Sequence, residues 1–480
     1  MVEKRLPLTV LTEEELVQIE ECAFRLLEEV GISLQHGRVT EMLYGIGCRI
    51  NKGRAFLPRE VVDQSMKCLT GAWTCRNRDG SNEFALGKGT IRFHNGACCP
   101  FTQDIDAGQR RRASLQDVAD MTRLLDAIPN VDIILAGFAP QDVPMEIQAI
   151  AATRAMLQNT RKPIMGAGVT NANDVRYMVE MAAACCGGME SFRKRPTMPI
   201  GVSLVAPLRF TDVTAEAIVA AAESGAPFYP GPMPLMGASS PITLPGALAQ
   251  QHAELLASFV IVAATRPGAA VIYTSRIFPI DMRSGVCSLG GPEAGMAGAC
   301  ATQLAHRLGL PCDTYGLASS SPTVDPQFAY ERFANAVIPG MAGADLMSGI
   351  GVFESLLSGA HPVAVIDDEI IGYLKRILRG FEVNQDSLAF EVIREVAAGD
   401  STFLEQSHTL REMRRGAVWV PSLVGRSRGT NEDANAGVVC LAETRAREIL
   451  RTHEVAPLPE DVSRQLEEVM QRARRELLKA

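Results

Sequence analysis

The sequence predicts an α/β protein built as a (β/α)8 barrel of the TIM type, with a helical and β cap before it and a helical extension after it. Three observations lead there. Short apolar runs recur along the chain, most are separated by stretches with helical periodicity, and the units number about eight. Apolar runs alternating with helices argue for a parallel sheet covered by helices. Eight strand–helix units close such a sheet into a barrel. A doubly wound open sheet is the competing architecture, and the regular spacing favours the barrel.

In chain order, the first 90 residues read as a cap. Thr12 and Glu15 form a capping box before a helix that buries Leu16, Ile19, Ala23, Leu26, Leu27 and Val30, and Gly31 can end it. Shorter helices are predicted near Val39–Tyr44 and Arg59–Leu69, and Asp79-Gly80 is a hairpin signal between Trp73–Arg76 and Glu83–Leu86. Residues 91–360 are the expected barrel. Its strands are predicted at Thr90–Asn95, Val131–Phe138, Pro163–Val169, Pro199–Leu208, Pro227–Leu235, Ala269–Ser275, Cys312–Ala318 and Asp345–Phe353. The clearest predicted helices between them are Asp212–Glu223, Leu248–Ala264, Glu293–Leu308 and Phe328–Ala342. Residues 361–480 are predicted as helices that wrap the barrel or another subunit, so a homo-oligomer is expected.

Composition excludes several classes. The 47% hydrophobic and 21% charged content is that of a globular chain. A net charge of −8 lacks the basic face that a nucleic-acid binder needs. No apolar run approaches the roughly 20 residues of a membrane span. The N-terminus reaches acidic residues too soon for a secretory signal, which points to the cytoplasm. The twelve cysteines include no CxxC pair, so free thiols are expected and no zinc site is spelled. His252-Ala253-Glu254 lacks the second histidine of a zinc-protease helix. Met165-Gly166-Ala167-Gly168-Val169-Thr170-Asn171 has Asn where a dinucleotide turn needs its third glycine, and Gly87-Lys88-Gly89-Thr90 is no phosphate loop. Arg110-Arg111-Arg112 reads as a solvated loop or a face for an acidic partner.

The chemistry is expected at the strand ends, which form the active face of a barrel. Those positions hold Phe93, His94 and Asn95; Phe138; Phe228 and Tyr229; Tyr273 and Arg276; Tyr315 and Ser319; Phe353 and Glu354. Three of only seven tyrosines fall there. A ring of aromatics suits a quaternary ammonium ligand through cation–π attraction. The loop from Gly231 onward, GPMPLMGASSPITLPG, is apolar and stiffened by four prolines, as a pocket wall would be. The helix after it carries Gln250, Gln251, His252 and Glu254.

Six stretches carry a resemblance: Gly201–Asp212, Gly231–Ala257, the GGPE turn Gly290–Glu293, Asp325–Arg332, Asp367–Gly372 and His453–Val462. In this order and spacing the chain resembles the trimethylamine methyltransferase family over nearly its whole length. The resemblance implies the barrel and methyl transfer from a methylated amine to the cobalt of a separate corrinoid protein. The founding enzymes contain pyrrolysine and this chain does not. It therefore looks like the branch acting on quaternary amines such as glycine betaine, carnitine or proline betaine. It also lacks the DxHxxG signature of corrinoid-binding proteins: Leu304 stands where Asp would be needed before His306. The cobalamin is thus expected on a cognate partner, none bound covalently, with no zinc.

A quaternary ammonium leaves as a neutral amine, so no acid or base is required. Tyr229, Tyr273, Tyr315 and Phe353 are expected to hold the cation. Arg276, His94 or Asn95 is expected on a substrate carboxylate. Glu254 and Asn95 are the catalytic candidates, with Glu254 and Glu293 also suited to supporting roles. A lyase or aldolase on the same barrel and a non-catalytic corrinoid-protein adaptor are the alternatives. No lysine lies at a predicted strand end from Val131 onward to serve a Schiff base.

Overall fold

The computed structural model describes residues 8–81, 83–87, 89–96, 98–105, 108–166, 168–169, 171–423 and 437–478. The N-terminal stretch 1–7 lies outside them, as do Lys88, Ala167 and Thr170 of the two glycine-rich turns.

Eight parallel strands close on themselves. They are β1 (Arg92–Asn95), β2 (residues 133–134), β3 (Gly168–Val169, with Ile164 below it), β4 (Ile200–Ser203), β5 (Phe228–Gly231), β6 (Tyr273–Ser275), β7 (Cys312–Tyr315) and β8 (Leu346–Ile350). β8 pairs back onto β1, which closes the barrel. β2 joins its neighbours only through the bridges His94↔Ile133 and Ile134↔Ile164. The helices that follow the strands form the outer ring. One of them, Leu244–Thr265, is 22 residues long and apolar enough to cross a membrane by length and composition. It is instead a core helix, 94% buried, packed beneath the N-terminal helix Glu13–Arg25.

The cap is built into the barrel. Helix Glu13–Arg25 starts at the Thr12/Glu15 capping box and ends in a π turn over Leu26–Val30. That wider turn shifts the register, so Val30 is 44% exposed instead of lying on the buried stripe. Strands Ile32–Leu34, Arg49–Asn51 and Arg54–Phe56 form a small sheet that takes Arg209–Phe210, from the loop after β4, as a fourth strand. The hairpin Thr74–Arg76/Glu83–Ala85 plugs the N-terminal end of the barrel. Trp73, Cys75 and Leu86 pack there with the inward residues Ile133, Leu135, Met165, Tyr229, Ile272 and Leu346, a core separate from the outer one.

After β8 the chain enters helix His361–Arg379. Its last helix, Glu460–Leu477, packs on helix Ala172–Cys185, where Tyr177 donates to Glu476 at 2.5 Å. Arg110–Arg112 is a strand, paired antiparallel with Phe101–Gln103. Arg110 stacks 3.9 Å from the Phe101 ring and pairs with Glu354, and Arg111 pairs with Asp104 and Asp117.

Candidate active site

A barrel strand alternates its side chains between the interior and the helix layer. This alternation sorts the aromatic and polar residues at the strand ends.

His94 of β1 and Asp313 of β7 point inward and meet at 3.1 Å, both buried. Arg276, just past β6, donates to Asp313 at 2.6 Å and to the carbonyls of Ser275 and Asp313. Its side chain is 17% exposed, so it is the member of the trio that a molecule in the mouth can reach. The His94 Nδ1 lies 3.0 Å from the Asn95 carbonyl, and its Nε2 faces the Asp313 carboxylate. Both neighbours only accept, so both contacts are hydrogen bonds only when the ring carries two protons. Burial pushes the Asp313 carboxyl upward, but Arg276 and His94 outweigh it and hold it at about 2.

Two tyrosines flank this trio. The Tyr229 ring lies against Gly201 and its hydroxyl donates to the Gly166 carbonyl; a Cβ at Gly201 would collide with the ring. Tyr315 packs edge-on to Phe278 at 5.8 Å, and Arg276 sits 5.3 Å from its centroid. Its buried hydroxyl has no hydrogen-bond partner among the described residues. Burial pushes both phenols far above their usual range. The rings therefore do not stand free in a wide funnel. A cleft of about 370 Å³ opens on the same face beside β1 to β3, lined by Cys98, Phe138, Met145, Glu146 and Asp174 among others. Burial pushes Asp174 up to about 6, against a hydrogen bond from Asn171.

Three expected site residues lie elsewhere. Tyr273 faces the helix layer, its hydroxyl 3.0 Å from His252 on helix Leu244–Thr265. Asn95 donates to the carbonyls of Leu135 and Gly96 and accepts from the Leu135 N–H, so its amide staples β1 to β2 and is fully used. Phe353 packs edge-on to Phe328 of helix Pro326–Ala342, 6.5 Å between centroids. In each case neighbouring residues on one strand end serve opposite faces, which an apolar run does not disclose. Asp313 was not among the expected residues, although an acid within the apolar run CDTYGLA is itself a signal, because buried charges are paired.

A family model for trimethylamine methyltransferase (MTTB) matches residues 1–477. The chain belongs to the trimethylamine methyltransferase family. It is 30% identical to a glycine betaine methyltransferase of Desulfitobacterium hafniense over 87% of both chains. It is 28% identical to trimethylamine methyltransferase MttB of the same species, over 96% of this chain and 93% of that one. With MttB1 of Methanosarcina mazei it shares 27%, over 97% and 95%. The family motifs quoted above map largely onto supports. Arg332 and Asp367 form a buried ion pair, and Gly290 of the GGPE turn lies so close to Glu331 that a Cβ there would strike the carboxylate. Glu293 is half-buried in the first turn of helix Pro292–Arg307.

Glu254 ties two mouth loops together. Its Oε1 accepts from Leu208 N–H at 2.9 Å, in the loop after β4, and from Gln250 at 3.1 Å; Gln250 also donates to Ser239 in the loop after β5. Its Oε2 has no partner among the described residues. Burial pushes this carboxyl up to about 7, against those two hydrogen bonds, and pushes nearby His252 down to about 4. Burial disfavours the charged form of both, with opposite consequences. Folded Glu254 keeps a proton that the unfolded chain releases above about 4.5, so its contribution is lost as pH rises toward 7. Folded His252 refuses a proton that the unfolded chain takes below about 6.5, so its contribution is lost as pH falls toward 4. The two slopes cancel between these unfolded values. Glu254→Gln removes the first and exposes the second. Relative to the parent, its stability is expected to fall by about 1.4 kcal/mol per pH unit on acidification through that window. Urea midpoints across the window check this, and parallel pH profiles would refute it.

Proposed function

We propose that the protein moves a methyl group from a zwitterionic quaternary amine, such as glycine betaine, to a corrinoid carried by a separate protein. The partly exposed Arg276 guanidinium, held by Asp313 beside the rings of Tyr229 and Tyr315, carries this reading. A bare trimethylated cation would leave the guanidinium donors that reach the mouth without a partner. A betaine brings a carboxylate for Arg276 and an ammonium for the rings. Asp313 and His94 fix the guanidinium, so its donors are positioned before substrate arrives.

The corrinoid supplies a Co(I) nucleophile. The chain's residues orient the substrate methyl and keep water out. As the C–N bond breaks, its electron pair returns to nitrogen. The leaving group is then a neutral tertiary amine and needs no proton, which fits a site whose carboxylate stays ionised. The rim of the mouth exposes Val205, Met233, Ile242, Met282 and Leu357 on the loops after β4, β5, β6 and β8. Such an apolar rim suits docking of a protein partner.

The test is methyl transfer to Co(I) cobalamin, followed by its spectrum, with glycine betaine and trimethylamine as competing donors. Turnover of glycine betaine is expected to dominate, and preference for trimethylamine would overturn the reading. Each tyrosine ring facing the ammonium contributes about 0.5–2 kcal/mol. Tyr229→Leu and Tyr315→Leu are therefore expected to weaken glycine betaine binding by up to roughly thirtyfold. Tyr273→Leu should leave binding unchanged, since that ring faces His252. Titration calorimetry checks the set.

A further inference from the structure

We propose, on the betaine reading above, that Gln251 is a positioning residue. It aims the free edge of the Arg276 guanidinium and so sets the spacing between carboxylate and ammonium that the site accepts. Gln251 is fully buried in helix Leu244–Thr265. Its Oε1 accepts from the backbone N–H of Arg276 at 3.0 Å. The ladder between β6 and β7 ends at Ser275↔Thr314, so Arg276 is the first residue beyond it. A backbone donor that leaves a ladder inside a protein needs another partner. Here a glutamine from the following helix layer supplies it, and residue 276 is fixed where the strand no longer fixes it.

A guanidinium carries five N–H donors in a planar fork. Nη1 donates to the carbonyls of Ser275 and Asp313, and Nη2 donates to the Asp313 carboxylate at 2.6 Å. This leaves the Nε–H and the second Nη2–H without a partner among the described residues. Nε and Nη2 share one edge of the fork, the arrangement that grips a carboxylate through both its oxygens. Asp313 holds the head of the side chain. It does not hold the direction from which the chain reaches that head, and this direction decides where the Nε–H points. Gln251 holds the other end, at the backbone. The free edge is aimed only when both ends are held.

The same helix keeps the neighbouring strand ends in place. Gln250 and Glu254 hold the loops after β5 and β4, and Thr274 of β6 donates to the Pro230 carbonyl beside Tyr229. Rings and guanidinium therefore keep a set separation, with the Arg276 guanidinium carbon 5.3 Å from the Tyr315 centroid. In glycine betaine the nitrogen lies about 2.5 Å from the carboxylate carbon, and in γ-butyrobetaine, with its longer spacer, roughly 5 Å when extended. The ammonium must also stay within about 6 Å of a ring centre to be attracted. A guanidinium this close to the ring favours the shorter spacer.

The test is calorimetric binding of glycine betaine, γ-butyrobetaine and tetramethylammonium to the full-length wild type and to Gln251→Met. Methionine keeps the length and bulk of the side chain and removes its acceptor oxygen. The wild type is expected to prefer glycine betaine to γ-butyrobetaine. The variant should lose about tenfold in glycine betaine affinity, less for γ-butyrobetaine, and stay within roughly threefold for tetramethylammonium, which has no carboxylate. A glutamine that only supports the fold would instead affect all three ligands alike. Equal losses, or an unchanged preference between the two betaines, would overturn the role of Gln251 and leave the substrate reading standing. A wild type that binds neither betaine would overturn both. If Gln251→Met proves unfolded by circular dichroism, hydrogen exchange of the wild type decides. The Arg276 amide should be protected before any ligand is added, and unprotected exchange there would overturn the proposal.

Discussion

Replacing Arg332 by methionine is expected to cost the fold about 3–5 kcal/mol, because it strands a buried carboxylate. Arg332 and Asp367 are both fully buried. The guanidinium donates to both Asp367 oxygens, to the Gly349 carbonyl at 2.9 Å and to the Val352 carbonyl at 2.5 Å; Asp367 also accepts from Gly351 N–H at 2.7 Å. One pair thus joins helices Pro326–Ala342 and His361–Arg379 to the end of β8. Directly beyond lie Glu354, Ser355 and Leu356 at φ 53°, 51° and 70°. Three successive left-handed non-glycine residues cost of order 1 kcal/mol each and persist only where their surroundings hold them. Burial pushes Asp367 above its usual range, with Arg332 opposing. Without Arg332 the carboxyl rises further. The deficit should then be largest at neutral pH and shrink on acidification, since a raised carboxyl stabilises below its folded pKa and loses that contribution as pH rises through it. The double variant Arg332→Met/Asp367→Asn removes the stranded charge and should recover most of the loss. Denaturation midpoints of the three variants at neutral and acidic pH check this. Additive losses would show that the residues do not act as a pair.

Much of the fold was legible because parallel barrel strands, covered on both faces, read as apolar runs, and helices read through period and caps. Thr12 with Glu15 marks an end that the structure keeps, whereas the helix predicted from Leu248 starts at Leu244 and takes Pro245 into its first turn. β2 was legible as an apolar run but pairs only through bridges. The site was legible in part. His94, Tyr229, Arg276 and Tyr315 were named from strand ends, and geometry brings them together. Tyr273 was named by the same logic and faces away, because one residue of register reverses a strand side chain. Asn95 is polar for a backbone reason, satisfying Leu135 on the neighbouring strand. The Arg332–Asp367 pair spans 35 residues, and no local pattern announces a partner at that distance.

Replacing Arg276 by methionine is expected to weaken glycine betaine binding about a hundredfold or more while leaving tetramethylammonium binding within roughly threefold. Removing one partner of a desolvated charge pair costs about 2–5 kcal/mol, and each 1.4 kcal/mol is tenfold. Methionine keeps the apolar length of the side chain and removes the donors proposed to face the carboxylate. It also alters the charge of the site. With Arg276 gone, the site loses one positive charge and with it the attraction for a substrate carboxylate. The variant should therefore change which ligand it prefers, whereas general damage to the pocket would weaken both. Arg276 also satisfies Asp313, so the single variant leaves that carboxylate with His94 alone among the described charged partners. Arg276→Met/Asp313→Asn removes both charges and controls for this: betaine binding should remain lost while stability returns toward the parent. Calorimetric titration of both ligands into both variants separates these effects. Equal losses for the two ligands would show that Arg276 supports the pocket and does not select a carboxylate.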